Sequence, residues 1–294
     1  MVSTTVKETI NYIKNRKGMP YFFAGVDYKA TEEWLIENNC LRLLSFVNDK
    51  RTIEKRCERG ALTFVDSGAF SAMNRNLQIN IDEYIEWLNK YDENLLMYCQ
   101  WDYIPLVEEV AEEYAQKTWE NYLYMRSKLK NPDKLVYCYH YLEDIKWLEQ
   151  ALENDVKIIA LGGIAKRGKN IRNEFLEQVE KVITKSKKDV LVHVFGMTSP
   201  EVLQRFKFID CADSSTWLYA SKFGEIETTW HKKVYFGNNM EKKNHFENLD
   251  LVQQMDIEFE LDNYKFKVED MKERRMRSLY QAMFWENKMQ NLER

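Results

Sequence analysis

Short apolar segments rich in β-branched and aromatic residues recur along the first 211 residues, and amphipathic segments separate them. Near-continuous apolar runs of this length are typical of strands that a parallel sheet buries on both faces. We predict eight strands, at residues 21–26, 41–47, 61–65, 95–101, 135–139, 156–161, 190–195 and 207–211. We predict helices between them, at residues 31–38, 50–59, 80–91, 106–130, 142–154, 170–185 and 199–205.

Eight alternations of strand and helix predict an α/β fold of the closed (β/α)8 barrel type, the TIM barrel, which typically takes about 250 residues. An open doubly wound sheet is the alternative, although the turn after the first strand lacks the GxGxxG pattern of its dinucleotide-binding form. After residue 225 the alternation ends. Residues 226–236 and 257–268 then have the pattern of further strands, and residues 269–291 that of a helix. We therefore predict a barrel at residues 1–224 and, at residues 225–294, C-terminal strands and a helix that pack on it.

Composition and charge exclude several classes of protein. The chain has 43 basic and 47 acidic residues, and this balance excludes a polybasic, histone-like protein. Its apolar runs are too short to span a membrane, and the polar helical pattern at residues 1–18 contains no secretory leader segment. Five cysteines without CxxC spacing predict reduced thiols and a cytoplasmic protein, and no spacing of cysteine and histidine predicts a metal site.

Polar and small residues follow the predicted strands, at the end of the barrel where such folds carry their chemistry. They are Asp27, Asp66-Ser67-Gly68, Asp102, His140, Gly162-Gly163, Gly196-Met197, Asp210 and Asp213-Ser214. Paired carboxylates suit cleavage of a glycosidic bond, because one stabilises an oxocarbenium-like centre and the other exchanges a proton. Structural explanations stand beside this one: aspartates after strands often cap helices, and we interpret His193 as a core histidine while leaving His140 open.

Five segments, in order, resemble motifs of the tRNA-guanine transglycosylase superfamily. They are 65–70 (VDSGAF), 101–105 (WDYIP), 160–164 (ALGGI), 193–200 (HVFGMTSP) and 213–217 (DSSTW). The resemblance is greater to the phage and bacterial branch that inserts 7-deazaguanines into DNA, because of DSGAFSA, His140-Tyr141, and DSSTW followed by Phe223-Gly224. The CxCxxC…H zinc site of the tRNA enzymes is absent, since no cysteine follows Cys211.

This resemblance implies a role for each candidate residue. Asp213 would attack C1′ of a target guanosine and form a covalent intermediate, while Asp66 would handle the proton on the base nitrogen. Asp102 would accept hydrogen bonds from the Watson–Crick edge of guanine, and the Gly163 N–H would donate to its carbonyl. The implied base-binding residues are Ser67, Gly68, Phe70, Asp102, His140, Gly162, Gly163 and Met197. The incoming base would be a 7-deazaguanine such as preQ0, and the reaction would need no cofactor.

The polymer would have to present its guanine flipped out or single-stranded. Basic residues for its backbone are Lys166, Arg167, Lys169 and Arg172, and, on what is equally a solvated helix face, Lys272, Arg274, Arg275 and Arg277. Our leading hypothesis is a DNA-guanine transglycosylase in the cytoplasm, of the host if the chain is phage-encoded. The alternatives are an RNA- or tRNA-guanine transglycosylase, a catalytically silent nucleic-acid-binding accessory subunit, and a small-molecule glycosidase or isomerase. Oligomeric state stays open.

Overall fold

Eight parallel strands close into a barrel in their chain order, with β8 paired to β1. The computed structural model describes residues 5–75, 77 and 79–293. The strands are β1 (Tyr21–Ala24), β2 (Arg42–Ser45), β3 (Thr63–Asp66), β4 (Leu95–Cys99), β5 (Leu135–His140), β6 (Ile158–Gly162), β7 (Leu191–Val194) and β8 (Cys211–Ser214). The predicted (β/α)8 barrel is confirmed.

Helices alternate with these strands. They are α1 (Val6–Lys14) before β1, then α2 (Lys29–Glu37), α3 (Phe46–Glu58), α4 (Ala69–Arg75), α5 (Ile81–Tyr91), α6 (Ala111–Lys128), α7 (Ile145–Glu153), α8 (Lys169–Ser186), α9 (Pro200–Arg205) and α10 (Thr216–Lys222). Local sequence explains several starts. The side chain of Asn80 accepts the N–H of Asp82 at the start of α5, and Pro200 occupies the first position of α9. Of the polar helical pattern at residues 1–18, residues 1–4 lie outside the described part.

The eighth strand lies further along the chain than its apolar pattern predicted. We predicted residues 207–211, but the strand is Cys211–Ser214, and Phe206 instead ends α9. The error has a physical reason, because the true strand reads Cys-Ala-Asp-Ser and buries its aspartate through hydrogen bonds that apolar periodicity does not register. As a result Asp213 lies within β8, whereas Asp210 precedes the strand at the opposite end of the barrel.

The segment after residue 225 is mainly helical. Two short strands, β9 (Glu225–Ile226) and β10 (Val234–Tyr235), pair antiparallel, and helices α11 (Leu251–Asn263) and α12 (Arg274–Gln290) follow. The predicted strand at residues 257–268 is wrong. A capping box starts α11, in which Asp250 accepts the N–H of Gln253 and Gln253 accepts the N–H of Asp250, and this cap outweighs the alternating apolar pattern.

The chain divides into two compact units. The first contains all eight barrel strands and comprises residues 5–24, 41–214 and 292–293 of the described chain. The second comprises Gly25–Cys40 and Ser215–Asn291, in which α12 packs against α2 and α10. The sequence placed a boundary at residue 224, whereas the compact units divide between residues 24 and 25, 40 and 41, 214 and 215, and 291 and 292.

Large side chains fill the interior of the barrel. Phe22 and Phe64 meet edge to face at 5.3 Å, and both pack against the ring of His193. Helix α1 contributes Ile13 to the same cluster. All five cysteines are buried thiols outside any disulfide. Among the described residues, no helix is both long and apolar enough to cross a membrane.

Lys134 lies in the short 3-10 turn Pro132–Lys134 that precedes β5. Its buried ammonium group connects this turn to the start of β4. Its ammonium donates to the carbonyls of Asp92 (2.8 Å) and Leu95 (3.0 Å) and lies 3.7 Å from the Asp92 carboxylate. Removing one partner of a buried pair leaves the other uncompensated. We therefore expect Lys134→Met to lower the free energy of unfolding by about 3 kcal/mol in urea denaturation followed by tryptophan fluorescence.

Lys130→Met is the matched control, because the Lys130 side chain is exposed. It should change the free energy of unfolding by no more than about 0.5 kcal/mol. Equal effects of the two substitutions would contradict a structural role for the buried ammonium.

Candidate functional site at the carboxyl ends of the strands

Asp102 lies just after β4, in a segment whose backbone α6 holds on both sides. The Thr118 hydroxyl accepts the N–H of Tyr103 at 2.9 Å, and the Asn121 amide donates to the carbonyl of Trp101 at 2.9 Å. These contacts fix the buried carboxylate of Asp102 at the end of the barrel.

Two neighbouring strands supply the hydrogen bonds of this carboxylate. Ser67, after β3, donates its hydroxyl to Oδ1 of Asp102 at 3.2 Å, and Nε2 of His140, at the end of β5, lies 3.0 Å from Oδ2. Both oxygens therefore have a partner, and these partners fix the plane of the carboxylate.

His140 connects Asp102 to a second buried carboxylate. Its Nδ1 lies 3.1 Å from Oε1 of Glu143, and its backbone N–H donates to Oε2 at 3.1 Å. Burial lowers the pKa of His140, but the hydrogen bonds to Asp102 and Glu143 raise it more, so the pKa lies well above its usual value. The ring is thus an imidazolium whose two N–H groups each meet a carboxylate. Burial is also the main cause that raises the pKa of Glu143.

Gly162 provides the space for this ring. It pairs with His140 across β5 and β6, and a Cβ on Gly162 would lie 2.6 Å from Cδ2 of the imidazole. The motif resemblance implies that Gly162 binds the base, and in the structure the imidazole of His140 occupies the space beside its Cα. Gly163 has φ +79°, a backbone conformation that favours glycine, and lies against Tyr141.

Asp213 is held by one oxygen. Its Oδ1 lies 3.0 Å from Nε2 of His193 and accepts the N–H of Gly196 at 3.1 Å. Nδ1 of His193 lies 3.4 Å from the thiol of Cys211, so a neutral ring that donates from Nε2 accounts for both contacts. Within the described residues no donor bonds to Oδ2 of Asp213, and this oxygen is the one available to react.

Asp66 ends β3 and is partly exposed. Burial raises its pKa to about 7, and the negative charges of Asp102 and Asp213 act in the same direction, against a lowering hydrogen bond from the Gly68 N–H. A carboxyl group with this pKa both donates and accepts a proton near neutral pH. The electrostatic coupling also places Asp66 near both of the other aspartates.

A cleft of about 420 Å³ opens beside Asp102. Its lining includes Ala72, Met73, Trp101, Asp102, Tyr103 and Tyr114. Its volume falls within the range of about 300 to about 1,000 Å³ of pockets that bind small ligands, and its lining combines polar and apolar surface. Of the predicted base-binding residues, Asp102 lines the cleft and joins it to the hydrogen-bonded network.

The structure brings six of the predicted site residues into two networks. Ser67, Asp102, His140 and Gly162 form the first, and Asp213 with Gly196 forms the second. Gly68, at φ +85°, packs tightly against Val47. Met197 is buried beside Gly196 in the chain, and Phe70 is half exposed on α4.

The predicted basic residues differ in what they contact. After β6, the Arg167 guanidinium lies over the Tyr141 ring at 5.1 Å, Lys166 is exposed, and Lys169 pairs with Glu201 at 2.6 Å. Nε of Arg172 is buried without a hydrogen-bond partner in the described structure.

The second basic group, around α12, is largely paired. Arg274 lies 3.5 Å from Asp27, and Arg275 lies 2.6 Å from Glu273. Arg277 is buried and donates to the carbonyls of Ser221 and Met271, so its interpretation as a residue for the polymer backbone is wrong.

Sequence reasoning missed two residues of the site. His193 was interpreted as a core histidine, but its ring also holds the Asp213 carboxylate. Glu143 was not singled out, although its position three residues after His140, past the end of a strand, is compatible with a contact to the imidazole.

Compared with protein-family models and with curated proteins, the chain matches none of them. Among the described residues, no group of three or more His, Cys, Asp and Glu side chains is arranged to hold a metal ion.

A methyl group on Gly162 should displace the imidazole from Asp102. We expect Gly162→Ala to lower the free energy of unfolding by about 2 kcal/mol, because the tightly packed strands leave no room for the added Cβ. Histidine ring resonances should shift at the same time. Gly168→Ala is the control, since a Cβ there meets no heavy atom within 4 Å, and an equal loss in both variants would contradict the steric explanation.

Asp66 should make stability depend on pH. Its folded-state pKa of about 7 lies above the ordinary 3.8, so the unfolded chain ionises first and stability falls as pH rises between these values. Asp66→Asn removes this charge. We expect its stabilisation, measured by urea denaturation, to grow from pH 5 to pH 7 and then stay constant. A gain independent of pH would show that the carboxyl group ionises normally.

Proposed function

We propose that this protein is a base-exchange transglycosylase that replaces guanine in DNA with a 7-deazaguanine such as preQ0. The observation that carries the proposal is the carboxylate of Asp213, with Oδ1 held by His193 and Gly196 and Oδ2 without a donor. Asp66, whose pKa is near 7, supplies the matching acid and base. The motif resemblance at residues 65–217 supports the same chemistry.

In the first step, Oδ2 of Asp213 attacks C1′ of the target nucleoside, and the C1′–N9 bond breaks with its electron pair going to N9. The protonated carboxyl of Asp66 gives its proton to the departing base, which leaves as neutral guanine. A fixed carboxylate opposite the leaving group lowers this barrier, because it is already oriented toward the carbon at which positive charge develops.

In the second step, N9 of the 7-deazaguanine attacks C1′ and releases the Asp213 carboxylate. The N9 proton passes to the Asp66 carboxylate, which restores the starting protonation state. Two displacements give net retention at C1′. No redox or metal-dependent step enters this sequence.

Asp102 suits recognition of the base. Its carboxylate accepts hydrogen bonds from N–H donors on the Watson–Crick edge of guanine, and the cleft beside it has aromatic walls. Lone pairs remain on both oxygens after the contacts with Ser67 and His140.

The polymer backbone would bind near Lys166 and Arg167, after β6. A guanine stacked within a duplex is out of reach of such a site, so the target is flipped out or single-stranded. Contacts to phosphates carry no information on the sugar, so they do not distinguish DNA from RNA. The motif resemblance is the reason that DNA is favoured. Five buried cysteines that form no disulfide fit a cytoplasmic protein.

The decisive experiment incubates the protein with labelled guanine and DNA or RNA of one sequence, single-stranded and duplex. We expect label to enter DNA, preQ0 to replace guanine by nucleoside mass spectrometry, and a covalent protein–DNA adduct to appear on a denaturing gel. Asp213→Asn should lose exchange by at least about a thousandfold, because the nucleophile is gone.

Asp210→Asn is the matched control, because Asp210 lies at the other end of β8 and holds the Val192 N–H. It should keep both exchange and adduct. Exchange into RNA alone would select the RNA enzyme, and polymer binding without exchange would select the accessory subunit. Cleavage of free nucleosides alone would select a small-molecule glycosidase.

A further inference from the structure

We propose that Glu143 is a positioning residue that holds His140 as a doubly hydrogen-bonded cation and so presents the Asp102 carboxylate to the amino edge of a guanine-type base. This inference rests on the proposed function and adds a determinant of base selectivity.

The geometry forms one continuous chain. Glu143 engages His140 twice, through Oε1 with Nδ1 and through Oε2 with the backbone N–H, both at 3.1 Å. The opposite ring nitrogen, Nε2, lies 3.0 Å from Asp102. Two contacts to one residue fix both the ring plane and the strand end that carries it.

The three side chains in this chain of contacts are buried from solvent. The side chains of Glu143, His140 and Asp102 are 0%, 3% and 7% exposed. A carboxylate in such surroundings is costly unless it is paired and hydrogen-bonded. Glu143 and Asp102 each accept one N–H of the same ring, so both buried carboxylates share one cationic partner. Gly162 closes the remaining side of the ring.

The charged and titratable groups around His140 come from several elements. They are Asp102 after β4, Glu143 after β5, and the Cys138 thiol within β5. Asp66, after β3, faces Asp102 in turn. The carboxyl groups of Asp102 and Glu143 contact the two ring nitrogens, and both contacts raise the pKa of His140.

The donors on the base explain why the orientation of Asp102 affects base selectivity. A fixed, ionised carboxylate has two oxygens that accept, and guanine offers adjacent N1–H and N2–H donors. Hypoxanthine lacks the N2 amino group. If Asp102 loses its orientation, guanine loses a second hydrogen bond that hypoxanthine never makes, so selectivity falls along with affinity.

The first test follows the protonation of the His140 ring. With 15N-labelled histidine, the resonances of His140 should keep the imidazolium pattern from pH 5 to pH 8.5, with assignment by His140→Gln. In Glu143→Gln the ring should titrate within that range, because one anionic partner is gone. Titration of His140 in the unmodified protein near the ordinary 6.5 would overturn the proposal.

The second test measures equilibrium binding of radiolabelled guanine and hypoxanthine. Glu143→Gln should weaken guanine roughly tenfold and hypoxanthine by no more than about twofold, since a hydrogen bond to a charged group is lost for guanine alone. Glu149→Gln, at an exposed position on α7, is the control and should leave both affinities unchanged.

The outcomes separate this inference from the function beneath it. Two results would overturn the positioning role and leave the proposed transglycosylase standing. In the first, Glu143→Gln binds guanine as tightly as the unmodified protein. In the second, it loses affinity for guanine and for hypoxanthine to the same extent. An unmodified protein that neither binds guanine nor exchanges it would overturn the proposed function itself.

Discussion

The pairing of β8 with β1 is the contact on which the rest of the structure depends, because it closes the barrel. It sets Tyr21 beside Ala212, Phe22 beside Asp213 and Phe23 beside Ser214. Closure leaves none of the eight barrel strands with an unpaired edge and brings their carboxyl ends to one rim. Residues 147 positions apart in the chain, such as Asp66 and Asp213, thereby come close enough for their charges to interact.

Three negatively charged aspartates at one rim would repel each other, but each of them has different neighbouring groups. Asp102 faces an imidazolium, which compensates its charge. Asp213 accepts the N–H of Gly196 and lies within hydrogen-bond distance of Nε2 of His193, so one of its oxygens is held in place. Asp66 lacks such a cation, and burial with two anionic neighbours raises its pKa to about 7. Environments that separate the protonation of similar groups are how one site obtains a nucleophile, an acceptor and an acid at the same pH.

Apolar periodicity was sufficient to predict the barrel, because buried parallel strands are nearly continuous apolar runs. It failed where polar residues are buried through specific bonds. The strand Cys211–Ser214 contains Asp213, and its burial depends on His193, a partner that lies 20 residues away. It failed again at α11, where the cap at Asp250 decides the structure. Asp66, Asp102 and Asp213 were found from their places after strands, whereas Glu143 required the geometry, since no periodic pattern marks a residue that acts through a neighbouring ring.

The same carboxylates constrain any polymer that approaches the rim. Asp102, Glu143 and Asp213 outnumber the single imidazolium, and a nucleic acid adds phosphate charge of the same sign. With a net charge of −4, the chain as a whole offers no attraction, so binding depends on local cations. Around α12 the cations at Arg274 and Arg275 are paired with carboxylates. After β6, in contrast, Arg167 lies over an aromatic ring and keeps its charge available beside exposed Lys166. A polymer of the kind proposed would therefore approach most favourably along the loop that follows Gly162 and Gly163, next to the ring that contacts Asp102.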